Sequence, residues 1–384
     1  MLEKRYVSAI AVISLAALAL RLAFFDAVTQ DYNNFLLPWM NEFREGGFLA
    51  LRTTSSNYNL PYLYILALLS YVPVNDLYLI KILSIIFDFV LAFTMMGMCR
   101  AGQSPPRAGT RGIIAAPGLI VFAVTLFWPA FWLNSAYWAQ CDSIYAAFCL
   151  LSYAAALKNR PACSVLYAGL AFSFKLQAVF FLPVFGVLWI AKKVKLKHAL
   201  MFPIPYVLTS LPALFMGWTP SRIIGIYTGQ VEIYSDWLTL NAPTLFAVLG
   251  KVPKHPWFEI GLALTGAFVL SMLTLAYIKR EALDEKSLLA FAFAICLGVV
   301  WLLPAMHERY FYLAEVFVIL FAALNPKRWF FAPPVLLGSL AGYHAYLVLG
   351  RLSDGLWPAA LILLAALAAA VINCARLRVR FNLV

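Results

Sequence analysis

Long apolar runs separated by short polar breaks set the pattern of this chain. They fall at about 7–25, 77–99, 113–133, 143–157, 162–174, 177–191, 199–216, 257–278, 287–303, 310–324, 330–349 and 357–374. A helix needs about 20 such residues to cross a bilayer, so the longer runs read as spans and the shorter ones as spans with soft boundaries. One further run, 61–74, starts at Pro61-Tyr62-Leu63-Tyr64 and is shorter still. The basic residues decide whether it counts. With 61–74 on the outer surface, Lys4/Arg5, Arg100/Arg107/Arg111, Lys158/Arg160, Lys192/Lys193/Lys195/Lys197, Lys279/Arg280/Lys286, Lys327/Arg328 and Arg376/Arg378/Arg380 all face the cytoplasm. If it spans, most of them change sides. The pattern therefore predicts an all-α fold: a polytopic transmembrane helical bundle of about twelve spans. Both termini lie inside, 61–74 is a juxtamembrane helix, and 1–384 is a single membrane domain.

This topology leaves 26–76, 134–142, the turn at 175–177, 217–256, 304–309 and 350–356 on the outer side. Segment 26–76 is long for a connection between spans. It carries Pro38, Trp39, Gly46-Gly47, Tyr58 and Pro61-Tyr62, a mixture that predicts short interfacial helices lying on the membrane.

Composition narrows the class. Of 384 residues, 64% are hydrophobic and 12% charged, more apolar surface than a soluble domain can hide. The formal charge of +12 fits cytoplasmic loops of a membrane protein better than nucleic-acid binding. The six cysteines, at 99, 141, 149, 163, 296 and 374, are scattered without a CxxC pair, which indicates neither a disulfide framework nor a zinc site. The first run follows Lys4-Arg5, is long, and has no small-residue cleavage site after it, so a retained signal anchor is expected rather than a cleaved signal peptide. No internal repeat or low-complexity tract is evident.

Four outer segments concentrate the polar residues: Gln30-Asp31-Tyr32-Asn33-Asn34, Trp132 to Ser143, Phe174-Lys175-Leu176-Gln177, and Pro304 to Phe311 with His307-Glu308-Arg309. The charges that set the topology lie elsewhere, yet they put all four on one side. A carboxylate at a membrane surface can take a proton from a hydroxyl. Cationic donors can stabilise charge on a departing phosphate. Asp31 fits the first role. Lys175, His307 and Arg309 fit the second, with Arg21 near the outer end of the first span as a further candidate. Such a set needs neither metal nor cofactor.

Each residue also has a plainer role. Asp31 can cap a helix or sit solvated in a loop, as Asp26, Glu42 and Glu45 are expected to do. Lys175 can snorkel at its turn. The His307–Arg309 triplet can be a structural ion pair, Asp142 a helix cap, and Trp132, Tyr137 and Trp138 interfacial anchors. Lys81, Asp88 and Glu315 fall inside spans, where structural or headgroup-binding roles are expected. The run Lys192–Lys197 reads as a topology signal with anionic-lipid contacts.

Taken in order, an outer Asp-Tyr, Asn-Tyr-x-x-Pro before an interfacial helix, Ile-Lys-Ile-Leu-Ser-Ile-Ile-Phe-Asp, Trp-Ala-Gln-Cys-Asp-Ser, Phe-Lys-Leu-Gln and Met-His-Glu-Arg-Tyr-Phe form a set over about 7–325. This set resembles the GT-C-fold integral membrane glycosyltransferases that use polyprenyl-phosphate sugars. It looks closest to bacterial relatives of the GPI-anchor mannosyltransferases and of the dolichyl-phosphate-glucose glucosyltransferases of N-glycan assembly. The resemblance implies Asp31 as catalytic base and a lipid-phosphate groove near Lys175, Gln177, His307 and Arg309. Tyr32, Asn57, Tyr58, Gln140, Asp142 and Glu308 become candidates for the acceptor site or its support. The implied reaction is inverting, metal-independent transfer of a hexose, mannose favoured, to a lipid-linked glycan or other hydroxyl acceptor. The implied setting is the outer face of a bacterial inner membrane. Related chains often carry Asp-Tyr-Pro-Pro where this one has Asn57-Tyr58-Asn59-Leu60-Pro61. The rival expectation is a transporter or flippase for a lipid-linked sugar, which would favour midplane sites and internal repeats.

Overall fold

The computed structural model describes residues 2–101, 111–234, 236–350 and 355–377. Arg107, Arg378 and Arg380 of the basic clusters, and 351–354 of the last outer connection, lie outside the described residues. Among the described residues the fold is all-α apart from a two-residue strand pair.

Among the described residues six helices are long and apolar enough to cross a membrane: Lys4–Leu22, Asp76–Arg100, Leu196–Phe215, Lys254–Ile278, Glu285–Leu302 and Trp357–Ala375. A bent pair, Pro117–Phe127 with Pro129–Tyr137, makes a seventh if it is one span. The other expected runs form shorter helices for a visible reason. Pro183 follows a 3-10 segment, Leu176–Phe181, so the regular helix there is only Leu182–Ile190. Likewise 330–349 opens with a 3-10 turn, Pro326–Phe331, before the helix Ala332–Leu347. The run at 61–74 becomes Leu60–Leu69, ten residues, well short of a membrane crossing. Pro61 stands in its first turn, where a missing N–H costs nothing.

The chain divides into two compact units. The first holds Met1–Ser152, Ala162–Ala178 and Ala199–Ile233. Its segment 26–76 folds as helices Leu37–Gly46, Gly47–Arg52 (3-10) and Leu60–Leu69. These close over a shared core that includes Leu36, Trp39, Met40, Phe43, Leu63 and Leu66. Helices Asp76–Ala101 and Arg111–Phe127 pack along each other beneath.

The second unit holds Tyr153–Pro161, Val179–His198 and Tyr234–Val384. Its centre is Glu285–Leu302, buried from Ser287 to Trp301. Asp284 caps this helix, accepting from Ser287 N at 2.8 Å and Ser287 Oγ at 2.7 Å. Around it stand Tyr312–Leu324, Trp357–Ala375 and Lys254–Ile278. A Cβ at Gly298 would fall 2.3 Å from Phe268 Cζ, and one at Gly338 2.5 Å from Leu363 Cγ. Small residues at these points let the helices approach closely, as in other apolar bundles.

Candidate active site

In the first unit two π-helical turns bring the predicted polar segments together. One is Tyr32–Leu36, entered at Asp31; the other is Leu133–Tyr137, which leads into Trp138 and Gln140. Such single turns widen the helix by one residue per hydrogen bond and recur at functional sites. After the second, Ala139 takes a positive φ of 63°, and Gln140 N bonds back to Asn134 O at 2.9 Å. That tight return places two N–H donors on one carboxylate oxygen. Trp138 Nε1 donates to Asp31 Oδ2 at 2.9 Å, and Gln140 Nε2 donates to the same atom at 2.8 Å. Asp31 is half-buried, and its side chain makes no cap hydrogen bond to the turn it precedes. The capping role is therefore not the one it plays.

The network continues from Gln140. Its Oε1 accepts from the Tyr58 hydroxyl at 3.3 Å. The Tyr58 ring packs against Trp39 and Tyr62, each 5.1 Å between centroids, and the Lys175 ammonium lies 5.7 Å from the Tyr58 ring centre. Lys175 Nζ pairs with Asp142 Oδ1 at 2.5 Å, while Asn134 Nδ2 donates to Asp142 Oδ2 at 2.8 Å. Asp31, Gln140, Tyr58, Lys175 and Asp142, picked from the sequence as separate candidates, thus belong to one connected cluster.

Several expectations change. Lys175 does not snorkel: it is buried and ion-paired with Asp142. Asp142, in the first turn of its helix, turns its carboxylate to Asn134 and Lys175. Trp138 is wholly buried and holds Asp31, so it is not an interfacial anchor. Arg21 is also fully buried, and its placement argues against a phosphate ligand. Its Nε and Nη2 meet Asp88 Oδ2 at 3.0 and 2.9 Å, and Nη1 donates to Ala17 O and Leu126 O. A guanidinium already desolvated and paired there offers a lipid phosphate little. Asp88 Oδ2 also accepts from Ser135 Oγ at 2.6 Å, so the pair underpins the π-turn that leads to Trp138 and Gln140.

Tyr32 is buried in the core beneath Asp31, and burial pushes its phenol above the usual range. Burial pushes Tyr62 up further, keeping it protonated beside Tyr58. Asn57 is half-buried, and its carbonyl accepts from Gln230 Nε2 at 2.6 Å. Gln177 is buried at the turn after Lys175. Sequence reasoning singled out the segment that holds Asn134 and Ser135 but gave neither a role, and it missed Thr29, whose Oγ1 donates to Trp138 O at 3.3 Å. For Asn134 and Ser135 the available signal was the density of small polar residues between Trp132 and Ser143.

Among the intramembrane charges, Lys81 is structural. Its ammonium donates to the carbonyls of Phe24, Phe25 and Ala27 at 2.7, 2.9 and 2.7 Å, tying off the end of the first helix. Nearby, the Tyr78 hydroxyl donates to Asp26, and Glu42 accepts from Ser55 Oγ at 2.6 Å. Glu315 is fully buried in Tyr312–Leu324.

In the second unit the His307 triplet stands on the strand pair. Met306 and His307 run parallel to Thr239 and Leu240, and Ala305, at φ 60°, donates its N–H to Leu238 O at 3.0 Å. Glu308 is 1% exposed and pairs with Arg309 Nη1 at 3.0 Å; His307 Nδ1 is 3.9 Å from its other oxygen, beyond hydrogen-bond reach. The His307 ring packs on Tyr310 at 5.1 Å. A Cβ at Gly342 would meet Asn241 O at 2.6 Å and Glu308 Cβ at 2.9 Å, so the helix Ala332–Leu347 presses directly on this loop.

No protein-family model matches the chain, and no curated protein matches it.

Proposed function

We propose that this chain is an inverting membrane glycosyltransferase of GT-C type. In this reading it moves a hexose, mannose favoured, from a polyprenyl phosphate to a hydroxyl of a lipid-linked glycan or similar acceptor. The supporting observation is the state of Asp31. A carboxylate that merely faced water would have no need of a buried indole N–H and a glutamine amide, both on one oxygen. Fixed in this way, Asp31 is oriented as a general base must be to take the acceptor proton as the hydroxyl attacks C1. The bond from C1 to the phosphate oxygen breaks in the same step, through a transition state with oxocarbenium character. The phosphate leaves with the electron pair, and cations stabilise it.

In the first unit the cationic role falls to Lys175, whose ammonium would have to share Asp142 with the phosphate. The second unit carries the same chemistry in Arg309 and His307. The finer topology belongs to the same proposal: about twelve passes, termini in the cytoplasm, and the 26–76 segment on the outer face of a bacterial inner membrane.

Transport explains less. In the first unit the charges inside the membrane-crossing helices, Arg21, Lys81 and Asp88, are engaged in helix packing and backbone clamping, where a permeation path would need them mobile.

The test is transfer of radiolabel from polyprenyl-phosphate mannose, and separately glucose, to a membrane glycolipid extract by purified protein in nanodiscs. Wild type is expected to form product, and Asp31→Asn to slow it by about a hundred- to ten-thousandfold while still binding donor. Near wild-type turnover by Asp31→Asn would remove the base, and with it the reading.

A further inference from the structure

A recess lies within the second unit, in the 217–256 connection, apart from the cluster around Asp31 in the first unit. It has a volume of about 360 Å³, near the lower end of small-molecule sites, roughly 300–1,000 Å³. Its frame is firmly built. Thr239 and Leu240 are paired with Met306 and His307, Thr239 Oγ1 ties back to Ala242 O at 2.7 Å, and the short helix Leu245–Leu249 ends on Gly250 at φ 71°. Pro253 then leads into Lys254–Ile278, whose first turn is broken by extended backbone at His255 (φ −96°, ψ 133°). A Cβ added at Gly250 would meet no atom within 4 Å, so this wall is open.

The lining has a specific mixture. Phe246, 1% exposed, supplies an apolar floor, and Trp237, half exposed, supplies a free indole face. Asn241 is buried in the wall at φ 58°, and Asp236, Lys251 and Lys254 stand at the rim. Lys254 Nζ is 3.2 Å from Asp236 Oδ1. An acyl chain would gain nothing from a rim of opposite charges. A small anion would find one lysine already paired with a carboxylate, and would have no use for aromatic walls. A pyranose suits both halves, since its C–H face stacks on an aromatic ring and its hydroxyl edge donates to carboxylate and amide oxygens and accepts from ammonium.

We propose that this recess is a saccharide-binding subsite that seats a pyranose against Trp237, with Asp236, Asn241 and Lys254 taking its hydroxyls. As the seat of an acceptor sugar it rests on the transferase reading; as a sugar site it rests on the recess alone. The strand pair that forms one wall also carries His307, which joins the subsite to the Glu308–Arg309 ion pair within one folded unit.

The test is saturation-transfer NMR on the full chain in nanodiscs, prepared without glycoside detergents. The probes are methyl α-mannoside, methyl α-glucoside and sodium phosphate. Saturable binding of at least one glycoside is expected. Trp237→Ala should weaken it about tenfold, equivalent to ~1.4 kcal/mol, and Trp237→Phe should largely restore it. Asp236→Asn should weaken it independently. Asp31→Asn should bind as wild type does, so loss of transfer in that variant leaves this proposal standing. Binding of phosphate without glycoside, glycoside binding unchanged in Trp237→Ala, or no glycoside binding by a folded wild type would each overturn it.

Discussion

Asp31 Oδ2 accepts from two donors of different kinds, an indole and an amide, and each can be tested in turn. Trp138→Phe keeps most of the buried ring but deletes the 2.9 Å contact. A hydrogen bond to a charged group is worth about 1.5–3 kcal/mol, so transfer is expected to fall roughly 10- to 100-fold with Asp31 still in place. Initial rates alongside a thermal melt separate this from unfolding. A full-rate Trp138→Phe would mean that the indole only fills space. Asp31, Lys175 and Gln140 were legible in the sequence because a polar residue is conspicuous in an apolar chain. Trp138 was not, because an indole near a helix end fits a membrane interface equally well, and only the π-turn that tucks it inward decides between them. The role of Arg21 is hidden in the sequence for a related reason. Its position near the outer end of a span was clear, but its partner, Asp88, lies 67 residues away.

At the scale of elements, buried cations hold the framework under the site. Arg21 and Asp88 form a wholly enclosed pair that also accepts Ser135. Removing one partner of such a pair costs about 3–5 kcal/mol, whereas replacing both by apolar residues of similar size is often neutral. Asp88→Asn is therefore expected to lower the melting temperature sharply, and Arg21→Met with Asp88→Leu to recover most of it. Equal melting of Asp88→Asn and wild type would show that the pair carries no stability. Arg44 acts nearer the surface. It donates to Asp76 Oδ1 and to the carbonyls of Ser70, Val72 and Val74, pinning the 70–76 turn to the helix Leu37–Gly46. Arg44→Ala should accelerate hydrogen exchange of the amides in 70–76 and leave the helix Glu285–Leu302 unaffected. Uniform exchange in both would discount the clamp. The existence of these helices was legible from hydrophobic runs, and their lengths were not. Pro183 and the 3-10 openings shorten several runs to fewer residues than a crossing needs, a local backbone effect that hydropathy averages away.

For the whole molecule the open quantity is sidedness, because hydropathy marks what can enter a membrane and only the basic clusters orient it. The six helices long enough to cross do not themselves fix which loops face out. The proposed topology takes sidedness from the basic clusters, and it makes opposite assignments for two reachable positions. Cys163, exposed among the free cysteines, follows Arg160 in the first turn of Pro161–Phe174 and belongs to the cytoplasmic side. Asn34, exposed on the π-turn beside Asp31, belongs to the outer side. The other cysteines are buried, which keeps the background of a thiol reagent low. With a membrane-impermeant maleimide, wild type should label in inverted vesicles and stay unlabelled in right-side-out ones. Asn34→Cys in a Cys163→Ser background should do the reverse. If both positions label from one side, the assignment of 61–74 as a juxtamembrane helix fails, since one added crossing reverses every span after it. Asp31 would then still hold its place in the network of the first unit, but the acceptor would have to be sought on the side where Asn34 was labelled.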